Sequence, residues 1–453
     1  MAYSADTIAA LATPAGTSAL ALVRASGPDS ARLVGEVFRA IPLPRQAGHA
    51  DYRDRAGALV DDVVFTFFQA PHSYTGDDLL EISCHGNPMI AQKILEDLFA
   101  RGCRPAQPGE FTRRAFLNGR MDLSQAEAVV DLIHARSERA LAAANQQLRG
   151  ALGRRLQDLI DRLVGLLAGV EARIDFPDED LPPADRRQLE SGLRGLAADT
   201  ARLLATGRYG HVLRDGLKTV IVGEPNAGKS SLLNRLVGRE RALVSAEPGT
   251  TRDYIEEPVA LGPHCIRLTD TAGLNASPTP IERAGMAKTL ERAAEADLIL
   301  LVLDATRPMP VVPAEIEARL APTNTLVIIN KTDLVPEGAG PPAPACLPVV
   351  RVSALTGASC DALVAAIVRH AESFRGKQGE EVVAINARHA AALIRAADCL
   401  QMALAKTGAG PACPAELLAS DLRGVLEAFG EIAGRIDNER VLDRLFATFC
   451  IGK

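Results

Sequence analysis

The stretch KTVIVGEPNAGKSSLLNRL, residues 218–236, leaves a chain few ways to fold. An apolar run of strand length stops at Gly223, a short glycine-bearing turn follows, and helical spacing begins at Lys229. Glycines at 223 and 228 let backbone N–H groups close round a phosphate, which then also faces the positive end of a helix. Such a loop needs its strand and helix side by side, and that pair is the repeating unit of a doubly wound parallel sheet. Within the loop, Asn226, Ala227, Gly228, Lys229, Ser230 and Ser231 are the expected phosphate contacts. Lys229 suits β/γ-phosphate oxygens and Ser230 suits Mg²⁺.

Further motifs follow in the order that such a sheet demands. In SAEPGTT, residues 245–251, the expected contacts are Ser245, Ala246, Glu247, Pro248, Gly249, Thr250 and Thr251, with the Thr251 hydroxyl suited to complete the Mg²⁺ shell. The strand-like CIRLTD ends at Asp270, placed to hold the same ion through water, and Thr271, Ala272 and Gly273 follow it towards the γ-phosphate. The strand TLVIIN leads into Asn330, Lys331, Thr332 and Asp333. A carboxylate at 333 accepts from both N–H groups on guanine's Watson–Crick edge, whereas adenine turns a lone pair towards it. A mismatch of that kind is worth on the order of 10⁴ in selectivity, so GTP is expected over ATP. Ser353 and Ala354, in SAL, suit the loop on guanine's other side. Leu274 cannot orient the attacking water. The nearest able group is Glu282, whose spacing alone also reads as a solvated carboxylate at a helix N-terminus.

Around this region the pattern changes twice. Residues 19–117 mix strand-like runs such as DDVVFTFF with helical ones such as MIAQKILEDLFARG, an α/β unit. Ser124 and Glu127 match a capping box, and Leu141, Leu148, Leu152, Leu156, Leu159, Leu163, Leu167 and Val170 recur at helical spacing, predicting one long helix. A second helix carries Leu189, Leu193, Leu196 and Leu203. Amphipathic spacing returns after about residue 376, so the nucleotide domain reads as an insertion into a helical one, cheap at an exposed connection. The expected fold is α/β plus all-α. An N-terminal domain spans 1–120, a discontinuous helical domain 121–215 and 376–453, and a Ras-like P-loop domain 216–375. With 453 residues and 47% apolar content, each can bury a core. A net charge of −6 argues against general nucleic-acid glue but not against a local basic face. Eight cysteines without a C-x-x-C pair suggest neither disulfides nor zinc. With no targeting or spanning segment, a cytoplasmic protein off the membrane is expected.

Together, GEPNAGKSSLLN, PGTTRD, DTAG and NKTD, the flanking LLEISCHGN, PGEFTRRAFLNGRMDLSQAEAVVDLI and DFPDED, and the terminal FCIGK resemble the MnmE (TrmE) family of tRNA-modification GTPases over essentially the whole chain. The resemblance implies a homodimer that uses K⁺ in place of an arginine finger, ligated by Asn226 and by oxygens of Ser245, Glu247 and Thr250. It implies Glu282 as the catalytic, water-orienting residue. The family often has a basic residue where Asn275 stands here. It also implies an N-terminal folate-binding domain, similar to one-carbon transfer proteins, that takes a tetrahydrofolate derivative (5,10-methylene- or 5-formyl-). Arg24, Glu81, Arg120, where lysine is common, and Lys453 are the implied contacts. The implied reaction, shared with the FAD-dependent partner MnmG, forms 5-carboxymethylaminomethyluridine at the tRNA wobble position.

Some residues stay open between two readings. Cys450 suits a nucleophile with a lowered pKa or a small apolar filler. His85 suits a ligand, a base or a hydrogen-bonded structural role. Arg101, Arg104, Arg113, Arg114 and Arg120 cluster, either to touch RNA phosphates or as a solvated face. Two other function classes compete: an RNA-binding ribosome-assembly switch, which requires an RNA module after the nucleotide domain, and a scaffold whose GTP binding is static.

Overall fold

A computed structural model describes residues 6–41, 43–175, 186–239, 256–270, 289–342, 346–374, 383–408, 414–434, 446 and 449–452. The chain divides into two compact units, one of residues 1–130 with 430–453 and one of residues 131–429.

In the first unit, alternation of apolar and polar residues gives strands with one buried face. They are β1 (Ile8–Leu11), β2 (Leu20–Ser26), β3 (Ala47–Arg53), β4 (Leu59–Phe68), β5 (Leu79–His85) and β6 (Arg104–Pro105). The sheet runs β3-β4-β5-β2-β1-β6, antiparallel except for the parallel β1–β6 pair. Val23, Phe65, Leu80 and Ile82 pack with Leu33 from helix Ser30–Phe38 and with Ile94 and Leu98 from helix Pro88–Ala100. Asn87 starts the second of these helices by accepting from Met89 N at 2.9 Å, with Pro88 in the first turn, where its missing N–H costs nothing. The end of the chain belongs to this unit. Phe446 and Phe449 lie against Gly109, whose φ of 67° and proximity to Phe446 O exclude a side chain there.

Helix starts and stops differ from the sequence expectation in two places. The capping pair of helix Leu123–His134 is Asp122 with Gln125, not Ser124 with Glu127. Asp122 Oδ1 accepts from Gln125 N at 2.8 Å while Gln125 Oε1 accepts from Asp122 N at 2.9 Å. The single long helix is two, Glu138–Leu148 and Ala151–Asp175, separated at Gly150, which sits at φ 79°. Leu152, Leu156, Leu159, Leu163, Leu167 and Val170 form the buried stripe of the latter, whereas Leu141 is 47% exposed.

Within the second unit, helix Ala387–Gly408 packs against helix Arg186–Ala205, which also meets Ala151–Asp175. Segments before and after the nucleotide motifs therefore build one helical body, and the P-loop GTPase fold is inserted between them. Its sheet contains β7 (Leu217–Gly223), β8 (Glu256–Leu261), β9 (His264–Asp270), β10 (Leu298–Asp304), β11 (Thr325–Asn330) and β12 (Val349–Arg351), in the order β12-β11-β10-β7-β9-β8. All neighbours are parallel except β8 with β9. Every residue of β10 and β11 is buried, as the unbroken apolar runs LILLVLD and TLVIIN require of strands covered on both faces. The strand order reverses at β7, so the carboxyl ends Gly223, Asp270, Asp304 and Asn330 border one crevice.

Candidate functional site

The crevice begins with the phosphate loop. Gly223 lies so close to Val302 O that a Cβ would overlap it, and Gly228, at φ 92°, is closed in the same way by Asn330 Nδ2. Asn226 takes φ 63° at the exposed tip, and helix Lys229–Arg239 starts immediately after the loop. Backbone N–H groups thus ring a space at a helix N-terminus, a cradle that suits an anion. The Lys229 ammonium is buried and donates to Gly223 O and Glu224 O, both at 2.9 Å. Ser230 is in the exposed first turn, and Asp270 ends β9 in register with Ile221 on β7. This sets a hydroxyl-bearing residue of the helix's first turn and an acidic residue at the end of β9 on the same edge of the sheet, residue types that fit hard Mg²⁺. The Asp270 side chain lies outside the described residues. So do Ser245, Ala246, Glu247, Pro248, Gly249, Thr250, Thr251, Thr271, Ala272, Gly273 and Glu282.

At the base end, Asn330 is a brace. Buried at 2% exposure, it donates Nδ2–H to Ala227 O and accepts from Ala354 N through Oδ1, each at 2.9 Å. One side chain thereby joins the phosphate loop to the SAL loop. Arg235 adds a second tie, donating to Ala354 O at 3.1 Å and to Leu355 O. Lys331 sits at φ 64° with its ammonium 2.6 Å from Asp304 Oδ2. Burial works to raise the Asp304 pKa, but hydrogen bonds from Lys331 and Thr306 overcome it and hold the carboxyl below its usual range. Asp333 stands exposed in the turn Thr332–Leu334, while Ser353 is buried and accepts from Thr356 N at 3.1 Å. The sequence reading missed Asp304 and Arg235. An acid closing a wholly apolar strand was the available signal for the first.

A second polar site lies in the N-terminal unit. Arg24 on β2 and Glu81 on β5 are register partners, and their half-buried side chains pair at 2.7 Å. The Arg24 guanidinium covers the Tyr74 ring at 5.5 Å and reaches Gly452 O at 3.5 Å. Tyr74 in turn bonds Thr112 at 2.8 Å. Arg120 is exposed, with its stem beside Gly76 in the same loop as Tyr74, and Asn118 donates to Thr75 O at 2.8 Å and Asp77 at 3.0 Å. The structure therefore brings Arg24, Glu81 and the Gly452 end of the chain together, with Arg120 against the adjoining loop. Lys453 lies outside the described residues. A carboxylate beside a guanidinium and an aromatic face fits a flat heterocycle with donor and acceptor edges. His85 is mostly exposed and bonds Asp61 at 2.9 Å, while Cys450 is exposed.

Three arginines of the basic cluster are paired within the fold. Arg114 is 2% exposed and donates to Asp6 Oδ1 at 2.7 Å and Glu110 Oε1 at 3.2 Å. Arg104 pairs with the same two acids, at 2.7 and 2.6 Å. Arg101 pairs with buried Asp97 at 2.7 Å. These guanidinium groups are paired within the fold, although the Arg104 side chain stays 41% exposed, and Arg120 is exposed. Among the described residues no helix is long and apolar enough to cross a membrane.

Comparison with known proteins covers nearly the full length. The family model described as MnmE helical domain matches residues 123–450, and that described as GTP-binding protein TrmE N-terminus matches residues 7–120. A tRNA modification GTPase MnmE from Opitutus terrae is 61% identical over 456 residues, covering 99% of each chain. Another from Akkermansia muciniphila is 43% identical over 452 residues, again covering 99% of each. Among solved structures, Era in complex with MgGDPNP and a 16S ribosomal RNA fragment matches 40% of this chain and 65% of its own, at 27% identity and a TM-score of 0.27.

Proposed function

Since the chain belongs to the MnmE (TrmE) family of tRNA modification GTPases, we propose that it hydrolyses GTP to drive modification of the tRNA wobble uridine at C5. In this reading it works with the FAD-dependent partner MnmG to give 5-carboxymethylaminomethyluridine. The carrying observation is the phosphate cradle locked to the base-recognition loops by Asn330. It supports a site that grips both ends of a guanine nucleotide.

Hydrolysis is assigned to a homodimer formed through the nucleotide domains, in the cytoplasm. Asn226, at the exposed loop tip, is the K⁺ ligand from the phosphate loop, joined by oxygens of Ser245, Glu247 and Thr250. Bound K⁺ supplies the positive charge that an arginine finger supplies elsewhere. Ser230 and Thr251 ligate Mg²⁺, and Glu282 orients water. The Arg24–Glu81 pair, with Arg120 and Lys453, is the site for a 5,10-methylene- or 5-formyl-tetrahydrofolate that donates the one-carbon unit. The domain boundaries at residues 120, 215 and 375 are part of the same reading.

GTP turnover by the purified chain in potassium and in sodium tests it. Turnover faster in potassium by about 10-fold or more, and lost in Glu282→Ala without loss of nucleotide binding, is expected. Equal rates in the two salts would remove the K⁺ assignment, and an active Glu282→Ala would remove the water assignment.

A further inference from the structure

Asp304 closes β10 in register with Asn330 at the end of β11, so a carboxylate stands on an inner strand of the sheet beside the start of the base-recognition segment. Its side chain is 3% exposed. A carboxylate so placed is costly unless its oxygens are satisfied, and here both are. Oδ1 accepts from Thr306 N at 2.9 Å and from Thr306 Oγ1 at 2.6 Å, while Oδ2 accepts from Lys331 Nζ at 2.6 Å. Arg307 stands 3.8 Å from Oδ2 and 4.0 Å from Glu224, beyond hydrogen-bond reach, and is half exposed, so solvent screens it. Lys331 is the partner that counts.

Lys331 in turn needs a tether. Its φ of 64° lies in the left-handed region, which a residue with a side chain keeps only where its surroundings impose it. That angle bends the chain out of β11 into the turn Thr332–Leu334, none of whose residues is buried. Thr332 N reaches Val352 O at a long 3.3 Å. Among the described residues, the pair with Asp304 is the one side-chain bond that residues 331–334 make. Asp333 rides on this turn.

We propose that Asp304 is a positioning residue for base selection: by holding Lys331 to the sheet it fixes the turn that presents Asp333, and so sets the preference for guanine over a purine without the 2-amino group. The proposal rests on the reading of Asp333 as the acceptor for guanine. A pair that served stability alone would weaken every ligand of the crevice alike. A positioning pair acts on the one contact that its turn makes, which leaves the phosphate cradle as it was.

Inosine diphosphate, which lacks only the 2-amino group, and inorganic pyrophosphate are the probes, competed with GDP against a fluorescent GDP on the full chain. Wild type should prefer GDP to inosine diphosphate by about 10- to 100-fold, the worth of one charge-assisted hydrogen bond. In Asp304→Asn the amide must turn its NH₂ towards either Lys331 or Thr306 N, both donors. The ratio should then fall by about 5-fold or more while pyrophosphate binding stays within about 2-fold. Lys331→Met should lower the ratio likewise. Adding Asp304→Asn to it should lower the ratio no further, because the two act as one unit, yet raise the thermal midpoint, because an unpaired buried charge is removed. If Asp304→Asn alone fails to fold, Lys331→Met and the double variant carry the test. An unchanged ratio, equal weakening of GDP, inosine diphosphate and pyrophosphate, or additive losses in the double variant would each overturn the proposal. Equal binding of GDP and inosine diphosphate by wild type would instead remove the Asp333 reading, and this proposal with it, before any variant is made.

Discussion

Replacing Arg114 by methionine separates a structural arginine from one that binds RNA. The guanidinium is 2% exposed and donates to two backbone carbonyls, Asp6 O at 3.0 Å and Ser26 O at 3.4 Å, as well as to the carboxylates of Asp6 and Glu110. Breaking a buried pair by removing one partner costs about 3–5 kcal/mol. The low end applies here, because Arg104 still reaches both acids and leaves neither uncompensated. About 3 kcal/mol corresponds to roughly 100-fold faster native-state exchange of amides in the peptide covering residues 6–26, read by mass spectrometry. Burial alone would raise the pKa values of Asp6 and Glu110, yet their arginine partners hold both below the usual range. Their stabilisation is therefore present above the unfolded values near 4 and lost as pH falls through the lower folded ones. The gap between wild type and variant should be full at pH 7 and shrink below about pH 4. The salt dependence of tRNA binding, measured where the variant is folded, should not change. Exchange within about 3-fold of wild type, or a salt slope flattened by about one charge, would refute the reasoning.

Three further outcomes follow from the described geometry. Gly228→Ala should weaken GDP binding by about 100-fold or more in a fluorescent-nucleotide titration, because φ 92° disfavours a side chain and its Cβ falls on Asn330. Asp333→Asn, at an exposed position, should leave stability unchanged but lower GTP affinity by about 10²-fold or more and favour xanthosine triphosphate, whose edge offers an acceptor where guanine offers a donor. His264 is buried, bonds Glu372 at 3.0 Å, and is held below its ordinary pKa of 6.5 chiefly by burial. The unfolded chain then takes the proton first, so stability is complete above about pH 6.5 and falls as pH drops towards the folded value. Exchange of the peptide around residues 259–266 should accelerate over that window, and His264→Gln should flatten the response.

The nucleotide fold was legible because its loop couples identity to shape: Gly223 and Gly228 are required by atoms of Val302 and Asn330 that a Cβ would strike. The helix boundaries were less so. Apolar spacing of three and four carries on past a glycine stop, so the pattern from Leu141 to Val170 hid the break that Gly150 itself marked. The capping motif matched at Ser124 because serine and glutamate fit its template, although Asp122 and Gln125, two residues earlier, fit the same chemistry and made the bonds. Arg114 illustrates the harder limit. Its partner Asp6 is 108 positions away, so local reading saw a basic run where folding makes a buried pair.

Asn330 shows why a nucleotide motif can be read correctly in kind and incompletely in role. Its position, 2% exposed, needs one donor, for Ala227 O, and one acceptor, for Ala354 N. Aspartate lacks the donor, leucine lacks both, and glutamine places the amide one carbon too far, so a carboxamide on a single methylene is the side chain that fits. Because those two bonds join the loop beneath the phosphates to the loop beside the base, the two halves of the site are not independent. A change at 330 must therefore reduce affinity for GDP and for inorganic pyrophosphate together, whereas a change at exposed Asp333 reduces only the former.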